Sequence, residues 1–233
     1  ESEYWKSIEF SLFHKVAVSY YPSYVEEEAI HAVDETIPVK AITAYVYEEF
    51  LQNLNKDFAK REGLLFVGGF AHPPNADAVL WFAKEVFPKI REQIKVNFYI
   101  VGSKVTDEIK ALEQPGNGII VKGFVSEEEL ADLYRNCRIV VVPLRYGAGV
   151  KGKVVEAIYN GAPIVTTSVG SEGIPDVEKV LLVKDQPDEF AETVVELYKD
   201  EKRLEDLAEK TQVYIREHFS IDAAWDVIKE DFE

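Results

Sequence analysis

The chain has 233 residues, 47% of them hydrophobic and 29% charged, and its 26 basic and 42 acidic side chains leave a formal charge of −16. That length and composition suit one large domain, or one domain with part of another, and exclude wholesale disorder. The acidic balance argues against a non-specific binder of nucleic acid or of anionic membrane, and the single Cys137 excludes an intrachain disulfide framework or a cysteine-rich zinc site.

The opening Glu-Ser-Glu-Tyr-Trp is not a signal peptide. There is no methionine, so the chain reads as a processed form, a piece of a longer protein, or a sequence from which residues are missing. A helix over 5–13 leads into a strand-like run at 15–18; Pro22-Ser23 opens a second helix, and 39–42 reads as a second strand. Two strands are too few for a sheet that stands alone. Residues 1–61 are therefore expected to be the last piece of a preceding α/β domain, or an edge added to the main sheet, with polar 52–62 as linker.

From 63 to 183 the pattern changes. Short β-branched runs at 64–67, 97–101, 119–121, 139–143, 163–166 and 180–183 are continuous rather than alternating, as expected of parallel strands buried on both faces. Between them lie amphipathic segments. Asn75 is placed to cap a helix whose apolar side is Val79, Phe82, Val86 and Ile90. Ser126 and Glu129 form a capping box before Leu130, Leu133 and Tyr134, and a helix over 150–160 ends at Gly161. Repeated strand–helix–strand units predict a Rossmann-like, doubly wound parallel α/β sheet. Helices follow over 188–198 and 204–218, and Ser220 caps a last one with Ile221, Trp225, Ile228 and Phe232 on one side. No apolar run approaches the ~18 residues of a membrane span. The histidines at 14, 31, 72 and 218 lack metal-ligand spacing, and no metal site is expected.

Ligands of open parallel sheets bind beyond the carboxyl ends of the strands. Those ends are rich in glycine here: Val67-Gly68-Gly69, Val101-Gly102, Lys122-Gly123-Phe124-Val125 and Tyr146-Gly-Ala-Gly-Val-Lys-Gly-Lys153. The last segment runs from strand to helix, where free N–H groups and the positive end of the dipole meet. First helical turns favour Asp or Glu, yet Lys151 and Lys153 stand there. A broken local rule at a strand's carboxyl end points to an anion, most simply a diphosphate. The competing reading is a pair of solvated lysines, with Lys153 against Glu156 one turn on. Glu156 itself reads equally as a ligand of a ribose diol or as a surface salt bridge.

These motifs, with Gly123-Phe-Val-Ser-Glu-Glu-Glu-Leu, Pro143-Leu-Arg in front of the glycine loop, Glu156-Ala behind it, and Gly161-Ala-Pro-Ile-Val-Thr-Thr, resemble the donor-binding domain of retaining GT-B glycosyltransferases, group 1 and family-4-like. The resemblance runs from Leu64 to Phe232. It implies an acceptor-side domain, represented by 1–61, a nucleotide-sugar domain over 62–218, and a helix over 219–233 that crosses back toward the N-terminal part. By position it implies Glu156 as the ribose ligand, Gly149 and Val150 as the phosphate loop, Gly69 on the donor rim, and Phe124 and Val125 where the base packs. Lys153 and Lys151 would neutralise the departing diphosphate as catalytic cations. The implied reaction is sugar transfer with retention from a nucleotide-diphosphate sugar of unspecified base to a glycan, glycoprotein or lipid, in the cytoplasm, with no cofactor and at most peripheral membrane contact. Two departures stand out: Ala148 occupies a position where many members carry a second glutamate, and Phe70 follows Gly69 where many have arginine. The alternatives are a GT-B-like sugar-nucleotide epimerase and a non-catalytic nucleotide-binding module. This chain alone is expected to bind donor without transferring sugar, with Trp225 packed on the first 60 residues.

Overall fold

The continuous apolar runs become the buried spine of the molecule, and a computed structural model describes residues 2–232. In chain order the N-terminal unit has α1 (Ser2–Phe13), β1 (Ser19–Tyr21), α2 (Tyr24–His31) and β2 (Val39–Ala41). The main unit follows with β3 (Leu64–Val67), α3 (Pro73–Trp81), a π-helical turn (Phe82–Val86), α4 (Phe87–Gln93), β4 (Phe98–Val101), α5 (Asp107–Lys110), β5 (Ile119–Gly123), α6 (Glu127–Asn136) and β6 (Ile139–Val142). It is completed by α7 (Gly152–Tyr159), β7 (Ile164–Thr166), α8 (Ser168–Ser171), β8 (Leu181–Val183), α9 (Pro187–Lys199), α10 (Glu201–Phe219) and α11 (Ile221–Ile228).

The main sheet has six parallel strands in the order β5-β4-β3-β6-β7-β8. Its direction of winding reverses between β3 and β6, which opens a crevice beyond their carboxyl ends. All four residues of β6, Ile139 to Val142, are buried, as a strand covered on both faces requires. The N-terminal strands do not join this sheet. They pair in parallel with each other alone, Ser19 opposite Val39 and Tyr21 opposite Ala41, over a small separate core of Phe13, Ile30, Ile37 and Val39.

Several local expectations are corrected. The first strand forms at Ser19–Tyr21 instead of 15–18, because its register is set by pairing with β2 and not by burial of Val16, which is left exposed. Asn75 does not cap α3: His72 holds the cap position, Pro73 takes the first helical turn, and Asn75 lies inside it. Val79, Phe82, Val86 and Ile90 are all fully buried, but not on one regular helix. Pro88 cannot donate to the carbonyl of Lys84, and the chain passes through the π turn before α4 resumes. Of the capping box, Ser126 Oγ accepts from Glu129 N at 3.1 Å, whereas the Glu129 carboxylate turns to Lys122.

The segment 52–62 is not a loose linker. Phe58 and Arg61 are 1% and 2% exposed. The Arg61 guanidinium lies over the Phe58 ring and donates to the carbonyls of Cys137 (2.6 and 2.8 Å), Tyr134 (3.0 Å) and Asn55 (3.1 Å). Burial holds its pKa down at about 10. The apolar side expected of the last helix is covered only in part, with Ile228 half-buried. Ile221, Trp225 and Phe232 are 47%, 53% and 72% exposed, while Ala223, Ala224 and Val227 line a cleft shared with Ala41, Ile42 and Thr43. Beyond α11, Asp231 pairs with Lys40 at 2.8 Å and accepts from Tyr20 Oη at 2.6 Å.

Candidate functional site

Three loops bound the crevice: the one after β3, the one after β4, and the glycine loop between β6 and α7. The first two are packed together so closely that only glycine fits. A Cβ on Gly102, whose φ is +152°, would collide with the carbonyl oxygen of Gly68. The glycine loop is anchored from outside by Arg145, which grips the Asp77 carboxylate with two nitrogens and lies 5.8 Å from the Trp81 ring centre.

Lys153 sits at the centre of this arrangement. It is the second residue of α7, and its mostly buried side chain reaches back across the crevice to β3. Its Nζ lies 4.6 Å from the centre of the Phe66 ring and donates to Asn75 Oδ1. Asn75 Nδ2 in turn donates to Gly69 O at 2.8 Å. No carboxylate of the described residues forms an ion pair with Lys153; Glu156, one turn along, interacts with it only at longer range. Burial therefore dominates and lowers the Lys153 pKa from 10.5 to about 8, with Glu156 opposing the shift. The competing reading, a solvated pair of Lys153 and Glu156, does not hold: the two form no ion pair.

Lys151 is placed differently from Lys153. It is the cap residue of α7 rather than part of its first turn. Its ammonium bonds to Gly149 O at 2.5 Å and to Glu172 at 3.0 Å. A partner 21 positions away thus satisfies the charge that the sequence pattern leaves open. Gly149 adopts φ +75° with open space where a side chain would lie, and the neighbouring Val150 borders the cleft toward the N-terminal unit, a cavity of about 280 Å³.

Glu156 lies on the side of α7 that faces α6 and the segment after β2. The buried Tyr134 hydroxyl, which makes no hydrogen bond among the described residues, lies near it, as does Tyr47, stacked on Tyr159 at 4.2 Å. Burial raises the Glu156 pKa, while the Tyr134 hydroxyl and Lys153 act in the opposite sense. Phe124, at the end of β5, is 82% exposed, and Val125 beside it is partly buried. Gly69 is on the rim, but its carbonyl is committed to Asn75. His72 and Ala148 are exposed. Sequence reasoning missed Asn75, Tyr134 and Tyr47 as parts of this site. For Asn75 a signal existed: Pro73-Pro74 fix the first turn and so put residue 75 inside the helix. Among the described residues no group of three His, Cys, Asp or Glu gathers to hold a metal ion, and no helix is long and apolar enough to cross a membrane.

Residues 61–200 match the family model for glycosyl transferases group 1, a stretch that contains every strand of the main sheet and the whole crevice. The chain belongs to this glycosyltransferase family. A protein of 44.6 kDa from the cps region of Klebsiella pneumoniae, itself uncharacterized, is 29% identical over 184 residues, which are 75% of this chain and 45% of that protein. The chain thus spans about half the length of its curated relative. Among solved structures, S. aureus TarM, determined with UDP, superposes with a TM-score of 0.74 at 14% identity over 95% of this chain and 45% of TarM. The pneumococcal O-GlcNAc transferase GtfA, determined with UDP and GlcNAc, gives 0.68 at 20% over 96% and 46%. Anabaena HepE, with UDP and glucose, gives 0.68 at 16% over 93% and 63%. At these identities the likeness establishes the fold: this glycosyltransferase chain carries a GT-B-type Rossmann-like sheet with a partial second α/β unit at its N-terminus.

Proposed function

We propose that the crevice binds the diphosphate of a nucleotide-sugar and that the parent protein transfers the sugar, a hexose or a related one, with retention to a glycan, glycoprotein or lipid. The observation that carries this reading is Lys153: a mostly buried ammonium without a carboxylate partner, at the switch point of a parallel sheet. A buried cation left with only a neutral amide and an aromatic face is costly unless an anion completes it. The amides of Gly152 and Lys153 precede the first intrahelical bond of α7, which Val154 makes to Lys151 O at 2.8 Å, and so add donors of the same polarity.

In such a transfer, negative charge grows on the departing diphosphate as the glycosidic bond stretches. A cation already desolvated and held in place stabilises that charge without reorganising at the moment of reaction. We assign this role to Lys153. Lys151, tied to Glu172, holds the Gly149-Val150 turn so that its amides face the same phosphates. Glu156 accepts the ribose hydroxyls, and Phe124 with Val125 offers the base an exposed apolar face. UDP in three similar structures makes a uridine nucleotide the first donor to try. The domain limits proposed are 1–61, 62–218 and 219–233. Because the chain covers about half of its relatives, we expect it to bind donor without transferring sugar. The free thiol of buried Cys137 suits a reducing compartment, and the cytoplasm is the one we propose.

A thermal-shift panel of UDP, GDP, ADP, CMP and dTDP tests the reading. A ligand at a hundred times its Kd stabilises by ~2.7 kcal/mol, a rise of roughly 5–10 °C for a chain of this size. One diphosphate should give such a shift, and Lys153→Ala should remove it. No shift with any of the five would defeat the assignment.

A further inference from the structure

The side chain that fixes Lys153 is Asn75, and nothing in its own helix needs it there. The α3 cap position belongs to His72, and the first turn is started by Pro73. Asn75 is 6% exposed and uses both ends of its amide across the crevice: Oδ1 takes the Lys153 ammonium and Nδ2 gives to Gly69 O at 2.8 Å. The three groups are in contact. A Cβ on Gly68 would lie 2.5 Å from Lys153 Nζ and 3.0 Å from Asn75 Cγ and Nδ2. The β3 loop therefore has room for the lysine only where Gly68 has no side chain.

The chemistry of an amide suits this position better than the alternatives. Aspartate would pair with the ammonium and cancel the charge an anion needs. An aliphatic side chain would leave the ammonium without an acceptor, free to turn out to water. A neutral amide holds the cation by one hydrogen bond, leaves its charge intact, and leaves its remaining N–H groups for a ligand.

We propose that Asn75 is a positioning residue for the diphosphate subsite, acting through Lys153 by locking its ammonium to the Gly68-Gly69 rim. This rests on the reading of Lys153 as the diphosphate cation. Asn75 touches no phosphate in the scheme; its effect vanishes when Lys153 is absent.

The test is a double-mutant cycle on the full chain, read by calorimetry with inorganic pyrophosphate, which reports the subsite whatever the base, and with uridine, which does not depend on it. Asn75→Ala should weaken pyrophosphate binding about tenfold, the loss of one charge-assisted hydrogen bond's worth of positioning, and leave uridine unchanged. In a Lys153→Ala background the same substitution should cost nothing further. Asn75→Asp, which keeps the shape should the alanine variant fail to fold, should weaken pyrophosphate at least as much because it neutralises the ammonium. Equal loss in both backgrounds, or wild-type pyrophosphate binding by either variant, overturns the proposal and leaves the assignment of Lys153 standing. If wild-type chain binds no pyrophosphate, or Lys153→Ala binds it normally, the diphosphate reading falls and this inference with it.

Discussion

Replacing Lys153 by methionine should make the unliganded chain more stable, although it removes a hydrogen bond. The unliganded fold holds this ammonium where burial outweighs every favourable contact, lowering its pKa from 10.5 to about 8. At 1.36 kcal/mol for each tenfold change in proton affinity, the protonated lysine costs the folded state about 3 kcal/mol at pH 7. Methionine fills the same space without charge. It forfeits the bond to Asn75 and leaves that buried amide one partner short, a loss of about 1–2 kcal/mol. The net gain is about 1–2 kcal/mol at pH 7, or roughly 2–8 °C in melting temperature. The sign with pH follows from proton counting. Between pH 8 and 10.5 the unfolded chain holds a proton on Lys153 that the folded chain has released, so wild-type stability rises across that window relative to the variant. The advantage of methionine should therefore shrink by about 2 kcal/mol between pH 7 and 9.5. Urea unfolding of both chains at the two pH values measures the difference directly, and titrations common to both cancel. A methionine variant less stable than wild type at pH 7, or a difference that does not change with pH, would refute the account of Lys153 as an uncompensated buried cation.

Three further outcomes are expected. Glu156→Gln should narrow the preference for a ribonucleotide over its 2′-deoxy form by about tenfold, a loss of one charge-assisted bond, while raising stability slightly at pH 7, since burial holds this carboxyl above its usual range; paired calorimetric titrations and a melt check both. Gly102→Ala should cost about 2–4 kcal/mol in urea unfolding and weaken pyrophosphate binding, because its methyl group collides with Gly68 O and pushes the β3 and β4 loops apart. Arg61→Met should cost about 3–5 kcal/mol by leaving the carbonyls of Cys137 and Tyr134 without donors; a chain as stable as wild type would show that water replaces them.

The main sheet is legible in the sequence because its four inner strands, β4, β3, β6 and β7, are mostly buried, and burial leaves the same mark wherever it occurs. The Ile139 to Val142 run could hardly be anything but a central strand. The N-terminal unit lacks that mark. Its two strands have no sheet neighbours beyond each other, so β1 starts where β2 pairs with it, and exposed Val16 is left outside. The last helix fails for a related reason. Its periodicity is sound, but periodicity gives a helix two sides and does not say which is covered. Here Ala223, Ala224 and Val227 line the cleft toward the N-terminal unit, and about half or more of Ile221, Trp225 and Phe232 is left exposed.

At the site, what the sequence could show was the broken rule and not its resolution. Two lysines at a helix start look equivalent in one dimension. They part company only because Glu172 comes back to Lys151 from beyond β7, while what reaches Lys153 is an amide. That difference decides which cation is available. A chain with a formal charge of −16 repels a diphosphate at long range, and in salt such fields fade beyond about 8 Å. Attraction therefore has to be built within a few ångströms, from a charge that the fold does not cancel. Lys153 meets that condition because its neighbours are a ring, an amide and glycine backbone. Had a carboxylate stood at position 75, the fold would be more comfortable and the crevice electrostatically empty.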